Sequence, residues 1–491
     1  MSIWNILQKN TSTSLIFQLK NKQNNTIKYE RMSNTVSRSA TRFRFRVVWF
    51  PRRRLKVFVV VFGVSACFSF LSELIRNEKG GISDSKSLES RVLEGPATET
   101  DPSPALAGVP RFEPQSFLED AAPGNESHCR FNYGAPDDLE GAEQAAPSPG
   151  GGPYRVLYNV LEGGAGSGNV TYCTHATPEL LYLVVEVARR WDGPVSVAVF
   201  APLWDAGLCL QLAAHLCRCS AHMAAVSLHL VFPADAPPTP APNPLPPPEP
   251  GCRVPPLPAL TARHQHQLSY PVNAARNAAR TAASTAHVLV ADVELLPSRG
   301  LADGFSAMRA RLGGARLGRP GHVFVVPVFE VEHGETVPVT KQQLVQLYAR
   351  GRAVYFHRWV CLHCQRFPGL QRWLHRRPRP LVQPLLVVRR EFPYHRWEPV
   401  FIGTGREPLY SEELSWEGQQ DKMTQMAEMC LLGYRFVILD GAFLVHIPGM
   451  KRRSDPPAQW RHPHQRSNAQ AYARIVQELR QKYGSVGSCR L

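Results

Sequence analysis

The stretch HVLVADVELLPS, residues 287 to 298, decides how this chain is read. HVLVA has the character of a strand buried in a sheet, and it runs straight into Asp292 and Glu294. Two carboxylates at i and i+2 point the same way once the chain leaves the pleat. Such a pair forms a hard-oxygen site for Mn2+ or Mg2+, with phosphate oxygens or waters filling the rest of the shell. Taken alone, D-x-E is a weak signal better explained by a solvated strand end, so its surroundings must decide.

Outward from this strand the pattern alternates. TPELLYLVVEVARRW (177–191) repeats its apolar residues at helical spacing, with Thr177 as cap and Pro178 at the first helical position. VSVAVF (195–200) reads as a buried strand, LCLQLAAHLC (208–217) as a helix and VSLHLVF (226–232) as a strand. VNAARNAARTAAS (272–284) reads as an Ala-rich helix, and HVFVVPVFEV (322–331) as a further strand. This alternation predicts an α/β fold with a largely parallel central sheet, in which ligands gather beyond the carboxyl ends of the strands.

Several residues sit where they would face such a ligand. Arg276, Asn277 and Arg280 lie on the helix preceding the Asp292 strand, within reach of a nucleotide sugar. Thr174 and His175 end an earlier strand, in position for a base or ribose. FLVHIPGMK (443–451) ends a late strand with His446 as a third metal ligand, Gly449 for close backbone approach and Lys451 for a phosphate. A histidine at a strand end is more often structural; here Gly and Lys follow it, in a chain that already offers a carboxylate pair.

The chain has 491 residues and a formal net charge of +16. Residues 1–56 hold 13 Lys or Arg against one acid, Glu30, and so account for most of that excess. The basicity belongs to a short tail, which argues against a nucleic-acid partner. An apolar run over 57–75 follows PRRRLK (51–56). The arginines before it place the N-terminus in the cytoplasm and make the run an uncleaved signal-anchor, with Met32 an alternative start that keeps it. Residues 76–152 read as a flexible lumenal stem and 153–491 as the catalytic domain, interrupted by a Pro-rich surface loop at 234–258. Ten of the eleven cysteines follow the anchor, together with sequons at Asn125 and Asn169. An even count in an oxidising lumen favours disulfides of unreadable pairing, and the lone Cys361-Leu-His-Cys364 favours a bridge over a zinc site.

At this point a resemblance is evident. THAT, RWDGPVSVAVF, YPVNAARNAAR, DVELLPS, VVPVFE, KQQLVQLY, the CxxC, WEPVFI and GAFLVH make residues 155–485 similar to the β-1,4-glucuronyltransferase and LARGE-type glycosyltransferases of family 49. The resemblance implies a GT-A fold and a Golgi type II membrane enzyme that inverts at the anomeric carbon. It also implies a UDP-glucuronate donor, Mn2+ and a xylose-terminated O-mannosyl glycan on a dystroglycan-like secretory glycoprotein, with partner glycosyltransferases. The family's D-x-D falls on Asp292 and Glu294, with Glu in the second place, and its metal-binding histidine on His446. Its F-D-E segment reads Tyr410-Ser411-Glu412, and its G-x-N-K/R segment appears, shifted by one residue, as Gln419-Gln420-Asp421-Lys422. Glu412 or Asp421 is the expected base, with Glu398 of WEPVF a further candidate. Lys341, Arg276 or Arg280 is expected to meet the donor carboxylate. The alternatives are a transferase of the same fold with another UDP-sugar, such as an N-acetylglucosaminyltransferase, and a non-catalytic lumenal glycan-binding subunit.

Overall fold

The computed structural model describes residues 15–20, 27–32, 127–135, 139–164, 168–240, 252–255, 261–312, 321–447, 449–451 and 461–490. It divides into two units, Met1–Glu99 and Thr100–Leu491. In the first, Leu15–Lys20 and Ile27–Met32 pair antiparallel. The expected signal-anchor at 57–75, the stem up to residue 126 and much of the Pro-rich loop lie outside the described residues. Among the described residues no helix is long and apolar enough to cross a membrane.

In the second unit, strands of three or more residues and helices of eight or more are numbered in chain order. The first half runs β1 (Tyr154–Glu162), β2 (Val170–Ala176), α1 (Leu183–Arg190), β3 (Val195–Phe200), α2 (Asp205–Cys219), β4 (Val226–Pro233), α3 (Val272–Ala282) and β5 (His287–Val290). Next come β6 (Leu295–Pro297), α4 (Leu301–Leu312), β7 (His322–Val325), β8 (Val328–Val331), α5 (Lys341–Ala349) and β9 (Ala353–Tyr355). The chain ends with β10 (Gln383–Val388), β11 (Phe401–Gly403), α6 (Met423–Leu431), β12 (Arg435–Asp440), β13 (Leu444–His446) and α7 (His462–Tyr483).

The central sheet has the order β10-β12-β7-β11-β5-β2-β3-β4-β1, with Arg130–Phe131 and Ala146–Pro147 both pairing with β1. Strands β5, β2, β3 and β4 form one parallel block. Every residue of β2 and β3 is buried, as expected of strands covered on both faces. The sheet is nevertheless mixed rather than largely parallel. β1 joins β4 antiparallel, β10 joins β12 antiparallel, and the short β11 inserts antiparallel between β5 and β7.

Two other expectations are corrected. HVFVVPVFEV is two strands, not one: β7 lies in the central sheet, while β8 lies in a second sheet of order β6-β13-β8-β9. Pro327 separates them. It has no N–H to donate to a ladder, but its carbonyl accepts from Leu444 N at 2.8 Å, so the chain changes sheets at that residue. The helix expected from Thr177 begins later. Pro178–Leu180 is a single 3-10 turn, Thr177 makes no side-chain cap, and α1 starts at Leu183.

Four disulfides are present, Cys129–Cys217, Cys219–Cys252, Cys361–Cys364 and Cys430–Cys489, with Cys173 and Cys209 buried and free. The helix that matters most for the site is α3. Its small face, Ala274, Ala275, Ala278 and Ala279, packs fully buried against Cys173, Ala198, Phe200 and Val288 of the parallel block. Alanines let helix and sheet approach closely, which carries the other face of α3 over the carboxyl ends of β2 and β5. Ala278→Leu should push helix and sheet apart and destabilise the domain by about 1–3 kcal/mol, read as a lower denaturant midpoint.

Candidate active site

Asp292 and Glu294 lie in the turn between β5 of the central sheet and β6 of the second. Leu295 N closes this turn on Asp292 O at 2.9 Å, and the hydroxyl of Tyr172 donates to Leu295 O at 2.6 Å. Val293 between them is buried in the core. Anchoring the middle residue turns its two neighbours outward, which answers why carboxylates leave a buried strand. β6 pairs antiparallel with β13, setting Leu295 opposite His446, and Ile447 N donates to Glu294 O at 3.0 Å. His446 thus reaches Glu294 from far along the chain.

The two carboxylates face different neighbours. Asp292 Oδ1 accepts from Arg276 Nη2 at 2.9 Å and from His175 Nε2 at 3.0 Å, while its Oδ2 accepts from Lys422 Nζ at 3.4 Å. With Asp292 ionised, His175 carries its proton on Nε2, and its Nδ1 accepts from the Tyr270 hydroxyl at 2.7 Å. Burial alone would raise the Asp292 carboxyl. Lys422, Arg276 and the His175 hydrogen bond outweigh it and hold the group well below the usual carboxylate range. Burial pushes the His175 imidazole down, so it is neutral. Glu294 Oε2 instead lies 3.9 Å from His446 Nε2.

Among the described residues no three His, Cys, Asp or Glu side chains already gather closely enough to hold a metal ion. The donor types nevertheless suit a hard divalent cation. Glu294 and His446 are spaced like two ligands of one ion. Burial, and then the nearby charge of Lys451, hold His446 well below its ordinary value, and its Nδ1 is buried without a hydrogen-bond partner among the described residues. Asp292 can join them only by exchanging one of its present partners.

The motif Asn273-x-x-Arg276-Asn277-x-x-Arg280 forms the polar stripe of α3, opposite its alanine face. Asn273 Nδ2 donates to Ser411 O at 2.7 Å and to Asp421 O at 2.9 Å. Asn277 brackets the Tyr410 backbone, donating to its O at 2.8 Å and accepting from its N at 3.0 Å. Arg280 donates to the carbonyls of Glu407 and Pro408. Arg276 pairs with Asp421 as well as Asp292, and its guanidinium lies 5.5 Å from the Tyr410 ring centroid. The stripe therefore pins the segment 407–421 onto the helix. Asn277 and Arg280, expected to contact the nucleotide sugar, are structural clamps.

The other expected site residues separate in the same way. Glu412 accepts from Ser148 Oγ, Gly150 N, Gly152 N and Asn277 Nδ2, which fills the lone-pair sites of a carboxylate and leaves it no room to act as base. Asp421 is held below its ordinary pKa by Arg276 and Lys422 despite burial, so it is a poor base. Lys341 is already occupied: its Nζ is buried on Asp440 Oδ1 at 2.6 Å and over the Trp373 ring at 4.2 Å. Thr174 is fully buried, and its hydroxyl has no hydrogen-bond partner among the described residues. Gly449 has φ 137°, and a Cβ there would meet nothing nearer than 3.6 Å, so backbone conformation rather than space favours glycine. Lys451 is exposed, and its charge acts on Glu294 and His446.

Three residues gain importance from the structure. Glu398 is half-buried beside Asp421 and Lys422, and burial followed by the Asp421 charge pushes it up to about 7. Its side chain makes no hydrogen bond among the described residues, while its backbone N is fixed to Cys364 O at 2.8 Å in the CxxC loop. Glu330 on β8 stands in register with His446, buried and raised to about 7, and accepts from His357 N at 3.2 Å. An acid inside the apolar VVPVFE was the only sequence signal for it. Lys422 touches Asp292 from across the cleft, a contact that sequence spacing does not encode. Replacing Arg276 with Met should remove the cation shared by Asp292 and Asp421, leaving His175 and Lys422 as the remaining partners of Asp292, and cost about 3–5 kcal/mol in chemical denaturation, with Asp421→Asn in the same chain recovering part of the loss.

Similarity to known proteins points to one family. Residues 169–484 match the family model described as "Glycosyl-transferase for dystroglycan". β-1,4-Glucuronyltransferase 1 of Homo sapiens is 32% identical over 354 residues, covering 68% of this chain and 80% of the relative. The protein of the same name from Danio rerio is 30% identical over 60% of this chain and 73% of its own length. Xylosyl- and glucuronyltransferase LARGE2 of Homo sapiens is 28% identical over 57% of this chain and 33% of its own. The family match spans the parallel block, the Asp292 turn and His446 together, and the chain belongs to this family of glycosyltransferases.

Proposed function

We propose that this glycosyltransferase is a metal-dependent, inverting glucuronyltransferase of the Golgi lumen. It would move glucuronate from UDP-glucuronate to a xylose-terminated O-mannosyl glycan on a dystroglycan-like glycoprotein. The observation that carries the reading is the approach of Glu294 to His446 at 3.9 Å, beside Asp292, at the mouth of the parallel strands. The names of the relatives support the donor, and the β linkage in one of them, made from an α-linked nucleotide sugar, requires inversion. The four disulfides suit an oxidising lumen. A signal-anchor at 57–75 would place the catalytic unit there.

Mn2+ would be held by Glu294 and His446 with Asp292, and when bound it supplies positive charge against the departing diphosphate. Lys451 stands on the same side, available to a phosphate oxygen. Inversion needs one displacement: the acceptor hydroxyl loses its proton to a carboxylate, its oxygen bonds to C1 of the sugar, and the C1–phosphate oxygen bond breaks to release UDP. Glu398 is the best-suited base, because Glu412 and Asp421 are occupied and a carboxyl near pH 7 matches the working pH. The same shift costs stability. Folding raises Glu398 from the ordinary 4.5 to about 7, so the folded chain holds a proton that the unfolded chain releases. The contribution is therefore best below the unfolded value and is lost as pH rises toward about 7.

The full chain, assayed for UDP release from a panel of UDP-sugars with a β-xyloside acceptor, should use UDP-glucuronate and need Mn2+. kcat/KM should climb about tenfold per pH unit up to about pH 7 and then level. Glu398→Gln should lower turnover at least about 100-fold with UDP binding retained. The same variant should be more stable than the parent at pH 8 than at pH 4, by about 1–3 kcal/mol. Release from another donor would overturn the substrate; neither release nor UDP binding would point to a non-catalytic glycan-binding subunit.

A further inference from the structure

A sugar carboxylate entering a part-buried cleft needs a cation, and a cation already saturated by the protein cannot serve. Among the described residues, the cations near the site differ in what they already hold. Arg280 donates to two backbone carbonyls. Arg276 distributes its two terminal nitrogens over Asn273, Asp421 and Asp292. Lys341 is sealed against Asp440. Lys451 lies on the Glu294 and His446 side, where a diphosphate belongs.

Lys422 is different. Its ammonium makes one long hydrogen bond, 3.4 Å to Asp292 Oδ2, and so retains donors to offer. Its charge is felt at Asp292, Asp421, Glu398, His357 and His175, so the ammonium stands in the middle of the cleft. That point lies between the proposed base and the metal-side carboxylate. A sugar ring that presents C1 to an acceptor while its diphosphate faces the metal must cross the same space.

The backbone supplies an independent sign. Gln419 and Gln420 are consecutive non-glycine residues in the left-handed region, with φ of 60° and 55°. Such strain persists where the surroundings impose it, and it gathers at functional sites. Asn468 on α7 grips this turn, donating to Gln419 O at 2.8 Å and to Ser415 O at 2.9 Å. Lys422 then occupies the N-cap of α6, where it makes no capping bond. Ser, Thr, Asp or Asn is preferred there, and a cation at the positive end of the helix dipole is unfavourable. Lysine and helix end together form an electropositive point that serves folding poorly and an anion well.

We propose that Lys422 binds the carboxylate of the donor sugar and thereby sets the preference for an acidic over a neutral nucleotide sugar. This rests on the glucuronate reading above. The test is calorimetric titration of the full chain, with Mn2+ present, by UDP, UDP-glucose and UDP-glucuronate, for the parent, Lys422→Met and Lys422→Arg. Lys422→Met should weaken UDP-glucuronate about 10- to 100-fold, bringing it to the level of UDP-glucose, with UDP and UDP-glucose changed less than about threefold. Lys422→Arg, which keeps the charge, should restore most of the difference. Equal loss for all three ligands would overturn the assignment and make Lys422 a support for Asp292 or the diphosphate. Unchanged UDP-glucuronate binding in Lys422→Met would also overturn it. A parent that binds UDP-glucuronate no better than UDP-glucose would instead sink the donor reading itself, and this inference with it.

Discussion

The buried guanidinium of Arg276 is the constraint on which the site depends. It lies between Asp292, at the turn leaving β5, and Asp421, at the start of α6. Those two acids belong to segments on opposite walls of the cleft, the β5–β6 turn and the start of α6. A buried charge of either sign is expensive alone, so the three groups stabilise one another only as a set. Their mutual need fixes the width of the cleft. The remaining stripe of α3 reinforces it, because Asn273, Asn277 and Arg280 bind backbone of the same 407–421 segment. One helix thus packs its alanines on the parallel block and holds the far wall of the site with its polar face.

The second constraint is the way the chain passes between sheets. It leaves the central sheet twice in similar fashion, from β5 into β6 and from β7 into β8. The first passage exposes Asp292 and Glu294 around the buried Val293; the second, at Pro327, delivers β8 beside β13. β13 pairs with both β6 and β8, which brings His446 against Glu294 on one side and into register with Glu330 on the other. The second sheet is small, but it brings these side chains together. A helix between β5 and β6 would have left Glu294 and His446 without a shared edge.

Much of this was legible in the sequence. The parallel block is written in unbroken apolar runs, and the alternation of strand and helix fixes the class. Asp292, Glu294 and His446 were legible as a group through their strand ends and the family pattern. What could not be read was occupancy. Arg280, Asn277 and Lys341 have the residue types that bind nucleotide sugars, yet each is satisfied by a partner distant in sequence, such as Pro408, Tyr410 or Asp440. Glu412 is saturated in the same way, since its donors arrive from 148–152 and from Asn277. The short β11 was hidden too, because three residues are too few to show a period. Spacing reports which face a residue occupies, and says nothing of what already fills its hydrogen bonds.

Several locally unfavourable choices meet at the cleft. Gln419 and Gln420 take a conformation better suited to glycine, Lys422 opposes a helix dipole, Glu398 has a depressed acidity, and His446 keeps a buried nitrogen without a partner. Other departures are spread through the unit, such as the positive φ of Tyr133, Asn159, Leu203 and Gln267, while elements such as α5 follow ordinary rules, starting with the capping box of Thr340 and Gln343. Each of the choices at the cleft leaves a charge, a proton site or a nitrogen unmatched by the protein itself. A nucleotide sugar, a divalent cation and an acceptor hydroxyl together carry the complementary groups, so the unmatched features describe the ligands as directly as the matched ones describe the fold.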